Sequence, residues 1–323
     1  PALGRPSRHD MREPATDQPA APADVENNNQ SPQHAVQQPP VVAPMAPSNS
    51  AAVAPNAADM SMLEEIDPKQ EILLLKGSAL ENFARNSVYG KKTSHEILAR
   101  LKQEYVRHGG RENEPGSWVG GPSQVNIMIH LGMFEATDFT RVRFDDLPHK
   151  QYVVWTYCWA DSPWGEMWAG VKQMDPNTHE DWYWFDIFCL DQFDSRKMET
   201  IKRSNEIYEN ANKYRVIGLA CFDRLWCLAE AGCKQHDQIT LVTKFEGFLQ
   251  RRERAYKLAK VKTDPTFEES RCTVDSDRET VRTRILQKFE TISSFNTDIK
   301  SVADKVLDGF RRTLAWGGFF TFE

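Results

Sequence analysis

Residues 214–233, YRVIGLACFDRLWCLAEAGC, hold the side chains whose types and spacing bear most directly on chemistry. The stretch opens as an apolar run of strand type (Val216, Ile217, Gly218, Leu219) and breaks at Cys221-Phe222-Asp223. Leu225, Leu228 and Ala229 then follow at the three-and-four spacing of a helix. One carboxylate, Glu230, closes the segment Arg224-Leu225-Trp226-Cys227-Leu228-Ala229-Glu230. It is either a reacting group or a helix residue paired with Arg224 or Lys234. The cysteines offer less. A structural zinc site needs four convergent ligands, and Cys227, Cys233 and His236 have poor spacing for one. A cysteine nucleophile needs a histidine base, and none stands near enough in the expected topology. No metal site is expected.

The elements that must position these groups occupy only part of the chain. Eleven of the eighteen prolines of the 323-residue sequence fall in its first sixty residues. Residues 1–58, rich in Pro, Ala, Gln, Asn and Ser, cannot bury enough apolar surface to offset their ordering entropy and are expected to form a flexible tail. The net charge of −6 gives no reason to expect a nucleic-acid partner, and no run of eighteen apolar residues predicts a membrane span. The stretch after Met11 lacks the apolar core of a signal peptide. Six cysteines without a CxxC pair suit reduced, buried thiols, and the cytoplasm is the expected location.

Order is expected from Ser61-Met62-Leu63-Glu64, which reads as a capping box, and more firmly from Thr93-Ser94-His95-Glu96. The latter opens a helix through Ile97, Leu98, Leu101, Tyr105 and Val106 that stops at Gly109-Gly110. After a Gly-rich loop, Val125, Ile127, Ile129 and Leu131 alternate like a half-buried strand, with a second strand at 140–144 to pair with it. Residues 61–148 are thus expected to form an accessory α/β region packed on the domain C-terminal to it. From Gln151 the pattern becomes strand, helix, strand: 152–156, 159–171, 182–190, 196–212, 214–219, the helix after it, and 239–242. Continuous apolar strands alternating with helices predict a parallel sheet covered on both faces. Ligands of such sheets bind beyond the carboxyl ends of the strands, here 157–162, 191–195, 222–224 and 243–246. Residues 244–262 read as a basic, solvated helix, and 273–289 and 295–314 as closing helices within a C-terminal extension, 273–323. The aromatic tail from Trp316 to Phe322 is expected to pack into a groove.

This order of pieces resembles the TIR fold over 151–243, and most closely a divergent TIR-like branch of protists and algae. That branch has a first strand ending in a Ser-His-Arg-Trp-type turn, an aromatic strand W-x-D-x-x-C-x-x-Q and a helix R-x-W-C-L-x-E. Here they correspond to Thr156-Tyr157-Cys158-Trp159, to 184–192 (WFDIFCLDQ) and to 224–230 (RLWCLAE). The resemblance implies a flavodoxin-like three-layer α/β domain over 150–262. It implies one of two functions. The first is an interaction module working through protein partners or self-association. The second is cleavage of NAD to nicotinamide and ADP-ribose with Glu230 as the catalytic carboxylate, NAD being a substrate rather than a cofactor. A carboxylate beside the ribose would stabilise the oxocarbenium-like centre formed as the nicotinamide bond breaks. Nicotinamide leaves as a neutral molecule, so one carboxylate suffices. Trp159 and Phe193 are the expected ring-stacking groups, and Asp191 and Gln192 the expected cleft-shaping ones. Thr156, Tyr157 and Cys158 replace the relatives' Ser, His and Arg, which predicts a first turn with fewer polar groups facing the cleft.

Overall fold

The computed structural model describes residues 63–114, 116–160, 162–233, 239–242, 265–272 and 277–316, with backbone alone at 219, 306, 307 and 309–316. All lie in the unit Ala54–Glu323. The expectations for residues 1–58, for Ser61 and Met62, for the basic stretch 244–262 and for the aromatic tail beyond Trp316 fall outside the described residues.

Glu71–Lys76 (β1) is an apolar hexapeptide with Ile72, Leu73, Leu74 and Leu75 all buried, as a strand covered on both faces requires. Gly77–Arg85 (α1) follows it directly. Ser94–Arg107 (α2) begins at the expected capping box: Glu96 N–H donates to Thr93 Oγ1 while Thr93 N–H donates to Glu96 Oε2. Arg111–Glu114 (β2) and Ser117–Val119 (β3) make a small antiparallel ribbon. Gln124–His130 (α3) is a helix where alternation predicts a strand. Its five consecutive buried residues, Gln124 to Met128, cannot all face inward from a half-buried strand, and the Ser123 hydroxyl accepts from Asn126 N–H at its start.

Phe139–Arg143 (β4) is the strand expected near 140–144, but it pairs antiparallel with β1. Val153–Tyr157 (β5), Trp164–Met174 (α4), Trp182–Trp184 (β6) and Asp186–Cys189 (α5) come next. The run 182–190, expected as one buried strand, leaves the sheet after Trp184 and turns helical at Asp186; a continuous apolar run fits either state. Lys197–Lys202 (α6) and Ser204–Asn210 (α7) divide the helix expected over 196–212. Lys213–Ile217 (β7), Leu225–Ala231 (α8), Ile239–Val242 (β8), Asp277–Leu286 (α9) and Ile292–Trp316 (α10) complete the order.

The six-stranded sheet runs β4-β1-β6-β5-β7-β8. Strands β6, β5, β7 and β8 are mutually parallel, in the doubly wound order that reverses direction beside its first strand. Strand β1 pairs antiparallel with both β6 and β4. The region 61–148 is therefore no separate accessory: it supplies two strands of a mixed sheet. Charged Glu71 and Lys76 bracket a run able to pair on both sides, and that run fills the edge of β6 that the parallel strands leave open.

Helices cover both faces, giving three layers. Alternate residues of β5 divide between them. Trp155 and Tyr157 point to α4, where Trp164 and Trp168 meet them with Tyr183 and Phe185 in an aromatic cluster. Val154 and Thr156 point to the other side, toward Tyr214, Tyr208 and α8. Each buried aromatic pair adds about 0.5–1.5 kcal/mol beyond its area. The cluster thus holds β5 rigid up to the end where the polar groups begin.

Candidate functional site

The order of the parallel strands reverses between β5 and β7, and the polar groups collect at the carboxyl end of that pair. Gly218, at φ +82, ends β7 in a conformation that residues with a Cβ rarely adopt, and starts the 3-10 turn Leu219–Asp223. That turn delivers the chain to α8, whose last full turn carries Glu230 back over the end of β5.

Glu230 is half-buried, and its Oε2 accepts a 2.7 Å hydrogen bond from Thr156 Oγ1. Thr156 Oγ1 also bonds the buried Tyr214 hydroxyl. With the carboxyl ionised, Thr156 spends its one proton on Glu230 and Tyr214 donates to Thr156, making a chain of hydroxyls that ends on the carboxylate. Burial raises the Glu230 pKa from 4.5 to about 7, and the nearby Asp186 charge adds to the rise. The buried Arg284 guanidinium on α9 and hydrogen bonds from Thr156 and Tyr208 oppose it. Glu230 therefore exchanges its proton near neutrality.

Asp186, first residue of α5, brings a second carboxyl to the same rim. Its Oδ1 accepts from the Tyr157 hydroxyl and its Oδ2 from Trp159 Nε1, both at 2.9 Å. Burial lifts its pKa to about 6 against the pull of those two donors. Adjacent residues of β5 thus serve the two carboxyls from opposite faces of the sheet, Thr156 holding Glu230 and Tyr157 holding Asp186. The first turn is richer in polar contacts than its departure from the Ser-His-Arg pattern predicts. Two hydroxyls occupy the positions where the resemblance leads one to expect Ser and His.

The expected cleft residues separate into two groups. Trp159 and Gln192 meet at Asp186: the first through its indole, the second through Nε2, which donates to the Asp186 carbonyl at 2.9 Å. Trp159 is partly exposed, its ring edge-on to His95 at the start of α2. Asp191 and Phe193 serve the scaffold. Asp191 accepts from Gln124 N–H at 3.0 Å and Phe193 N–H at 2.8 Å, pinning α3 to the loop after α5, and burial raises its pKa. The Phe193 ring is buried between Tyr105 and Trp118, with centroids 4.5 and 5.6 Å away.

On sequence alone Asp186 reads as a structural residue, and Thr156, Tyr208, Tyr214 and Arg284 do not stand out as site residues. Asp186 carries a usable signal, a carboxylate at the carboxyl end of an aromatic strand. Arg284 carries none, since it lies 54 positions beyond Glu230 on a helix whose register against α8 only the fold fixes. The cation whose charge acts on Glu230 is the buried Arg284, while Lys234 falls outside the described residues. Comparison of the chain with protein-family models, curated proteins and solved structures returns no match, so the functional reading rests on this geometry.

Proposed function

We propose that the protein cleaves the N-ribosyl bond of NAD, releasing nicotinamide and ADP-ribose, with Glu230 as the catalytic carboxylate. One observation carries the reading. A half-buried glutamate, held by the Tyr214–Thr156 hydroxyl chain, stands at the reversal point of a doubly wound sheet and titrates near pH 7. In the reaction the C1′–N bond breaks and its electron pair leaves with the neutral nicotinamide. The ribose becomes oxocarbenium-like, and the Glu230 carboxylate stabilises that positive charge. Water then adds at C1′ and loses a proton to solvent. Trp159, fixed by Asp186, offers an aromatic surface for a base ring, and Gln192 steadies the loop beside it.

A second reading, a non-catalytic assembly module, has its own observation. Helix α9 lies against α8, with Trp226 Nε1 donating to Asp277 Oδ2 at 3.3 Å and the buried Arg284 acting on Glu230 through its charge. A structural ion network has the same composition. Nicotinamide release from NAD by purified protein, measured beside Glu230→Gln and Glu230→Ala, separates the two. No turnover at high protein concentration, including under conditions that promote oligomers, sinks the enzymatic reading. Turnover lost only in the variants sinks the purely structural one.

A further inference from the structure

Cys158, Cys221 and Cys227 converge from three elements: the residue after β5, the 3-10 turn after β7, and α8. Their sulfur atoms all lie within 4.8 Å of one another, and the residues are only 9 %, 2 % and 6 % exposed. None of the six cysteines forms a disulfide. We propose that these three form a buried three-sulfur site for a soft monovalent d10 metal ion, of the cuprous class.

The geometry fits such an ion. A trigonal array with metal–sulfur bonds of about 2.3 Å places its sulfurs about 4.0 Å apart, and the 4.8 Å that bounds their separations here leaves only small side-chain rotations to reach it. Among the described residues no His, Asp or Glu joins the group within that radius. A structural zinc ion demands four ligands. A cuprous ion is satisfied by two or three thiolates, and soft sulfur ligands select it. The burial of all three cysteines also shields such an ion from oxidants in solution.

Binding must displace thiol protons. Cys221 Sγ now donates toward the carbonyls of Thr156 (3.5 Å) and Ile217 (3.2 Å), and Cys227 Sγ toward that of Tyr157 (3.7 Å). Each metal–thiolate bond formed releases one thiol proton to solvent. An occupied site would tie together the end of β5, the turn after β7 and α8, the three elements that hold Glu230.

The test uses the whole reduced chain under anaerobic conditions, with Cu(I) supplied as its acetonitrile complex against the chelator bathocuproine disulfonate. One equivalent should be withheld from the chelator, with sulfur as its only ligand atom by X-ray absorption. Cys221→Ala should weaken binding by at least about 100-fold, more than the loss of an outer-shell partner costs, and Cys272→Ser should leave it unchanged. If Cys221→Ala fails to fold, Cys158→Ser at the rim of the cluster takes its place with the same expectation. Failure to withhold copper, nitrogen or oxygen ligands in the absorption spectrum, or unaltered binding by the cluster variants overturns the proposal.

Discussion

Replacing Glu230 with Gln should make the protein more stable, and only at the pH where the carboxyl would be charged. The ordinary pKa of 4.5 rises to about 7 in the fold. A group whose folded pKa is raised contributes full stability below its unfolded pKa and loses that contribution as pH rises through the folded one. At about 1.4 kcal/mol per pH unit, the wild type forfeits about 1 kcal/mol by pH 5, about 2 by pH 6 and about 3 by pH 8, relative to a neutral isostere. Glutamine has the shape of the protonated acid and can still accept from Thr156. The difference in unfolding free energy between Glu230→Gln and wild type, measured in urea from pH 4.5 to 8.5, should therefore climb by about 3 kcal/mol across that range. For a domain of this size, the same difference corresponds to about 6–12 °C in melting temperature. Titrating groups that do not interact with Glu230 cancel in the subtraction. A flat difference would refute the reasoning, and so would a wild type that gains on the variant as pH rises. The latter would mean that Arg284 holds Glu230 ionised in a structural pair.

On the proposed NAD-cleaving function, the same titration would govern catalysis in the opposite sense. Nicotinamide release should increase through about pH 7 as Glu230 loses its proton, and a rate independent of pH from 5.5 to 8.5 would exclude an ionised Glu230 as the stabilising group. Thr156→Val removes a hydrogen bond that favours the charged form, so the midpoint of that profile should move upward, a shift that a purely structural role would not produce. Asp186→Asn removes a like charge and should move the midpoint downward, because the Asp186 carboxylate raises the Glu230 pKa. Phe193→Ala should cost about 3–5 kcal/mol of stability in denaturant unfolding while leaving KM for NAD unchanged, since its ring fills the core between Tyr105 and Trp118. A raised KM with intact stability would return Phe193 to the cleft.

Much of the parallel half of the sheet is legible in the chain. The β-branched and aromatic runs at 153–157, 213–217 and 239–242 are short, apolar and separated by helical spacing, and all three are strands in register. The antiparallel edge is harder to read. Leu73, Leu74 and Leu75 favour helix by propensity, and only burial on both faces between β4 and β6 makes Glu71–Lys76 a strand. Val125, Ile127 and Ile129 alternate by accident, since Asn126 and Met128 between them are buried too. The Gln124 side chain donates to the Ile187 carbonyl at 2.7 Å, a partner 63 positions away that no local pattern announces. Glu230 stands out in the sequence through the resemblance of residues 224–230 to R-x-W-C-L-x-E, not through spacing. Its neighbours Arg284 and Tyr208 depend on how α7 and α9 lie against α8, which sequence spacing does not encode.

The chemistry of the first turn follows from what its hydroxyls cannot do. An imidazole at the position of Tyr157 would titrate between pH 5 and 8 and share the charge of the site with the carboxyls. The Tyr157 hydroxyl, held well above its ordinary pKa by burial and by Asp186, stays a donor throughout that range, as does the hydroxyl of Thr156. Both groups can stabilise a carboxylate, yet neither supplies a proton to a leaving group at neutral pH. Such a turn suits a substrate whose leaving group departs without protonation. It penalises one, such as an unactivated purine nucleoside, that needs an acid. The proposed NAD reading and a hydroxyl rather than an imidazole at position 157 are therefore consistent with each other: a cationic nicotinamide ring brings its own activation, and on that reading what remains for the protein is to hold one carboxylate, Glu230, against the charge that develops on the ribose.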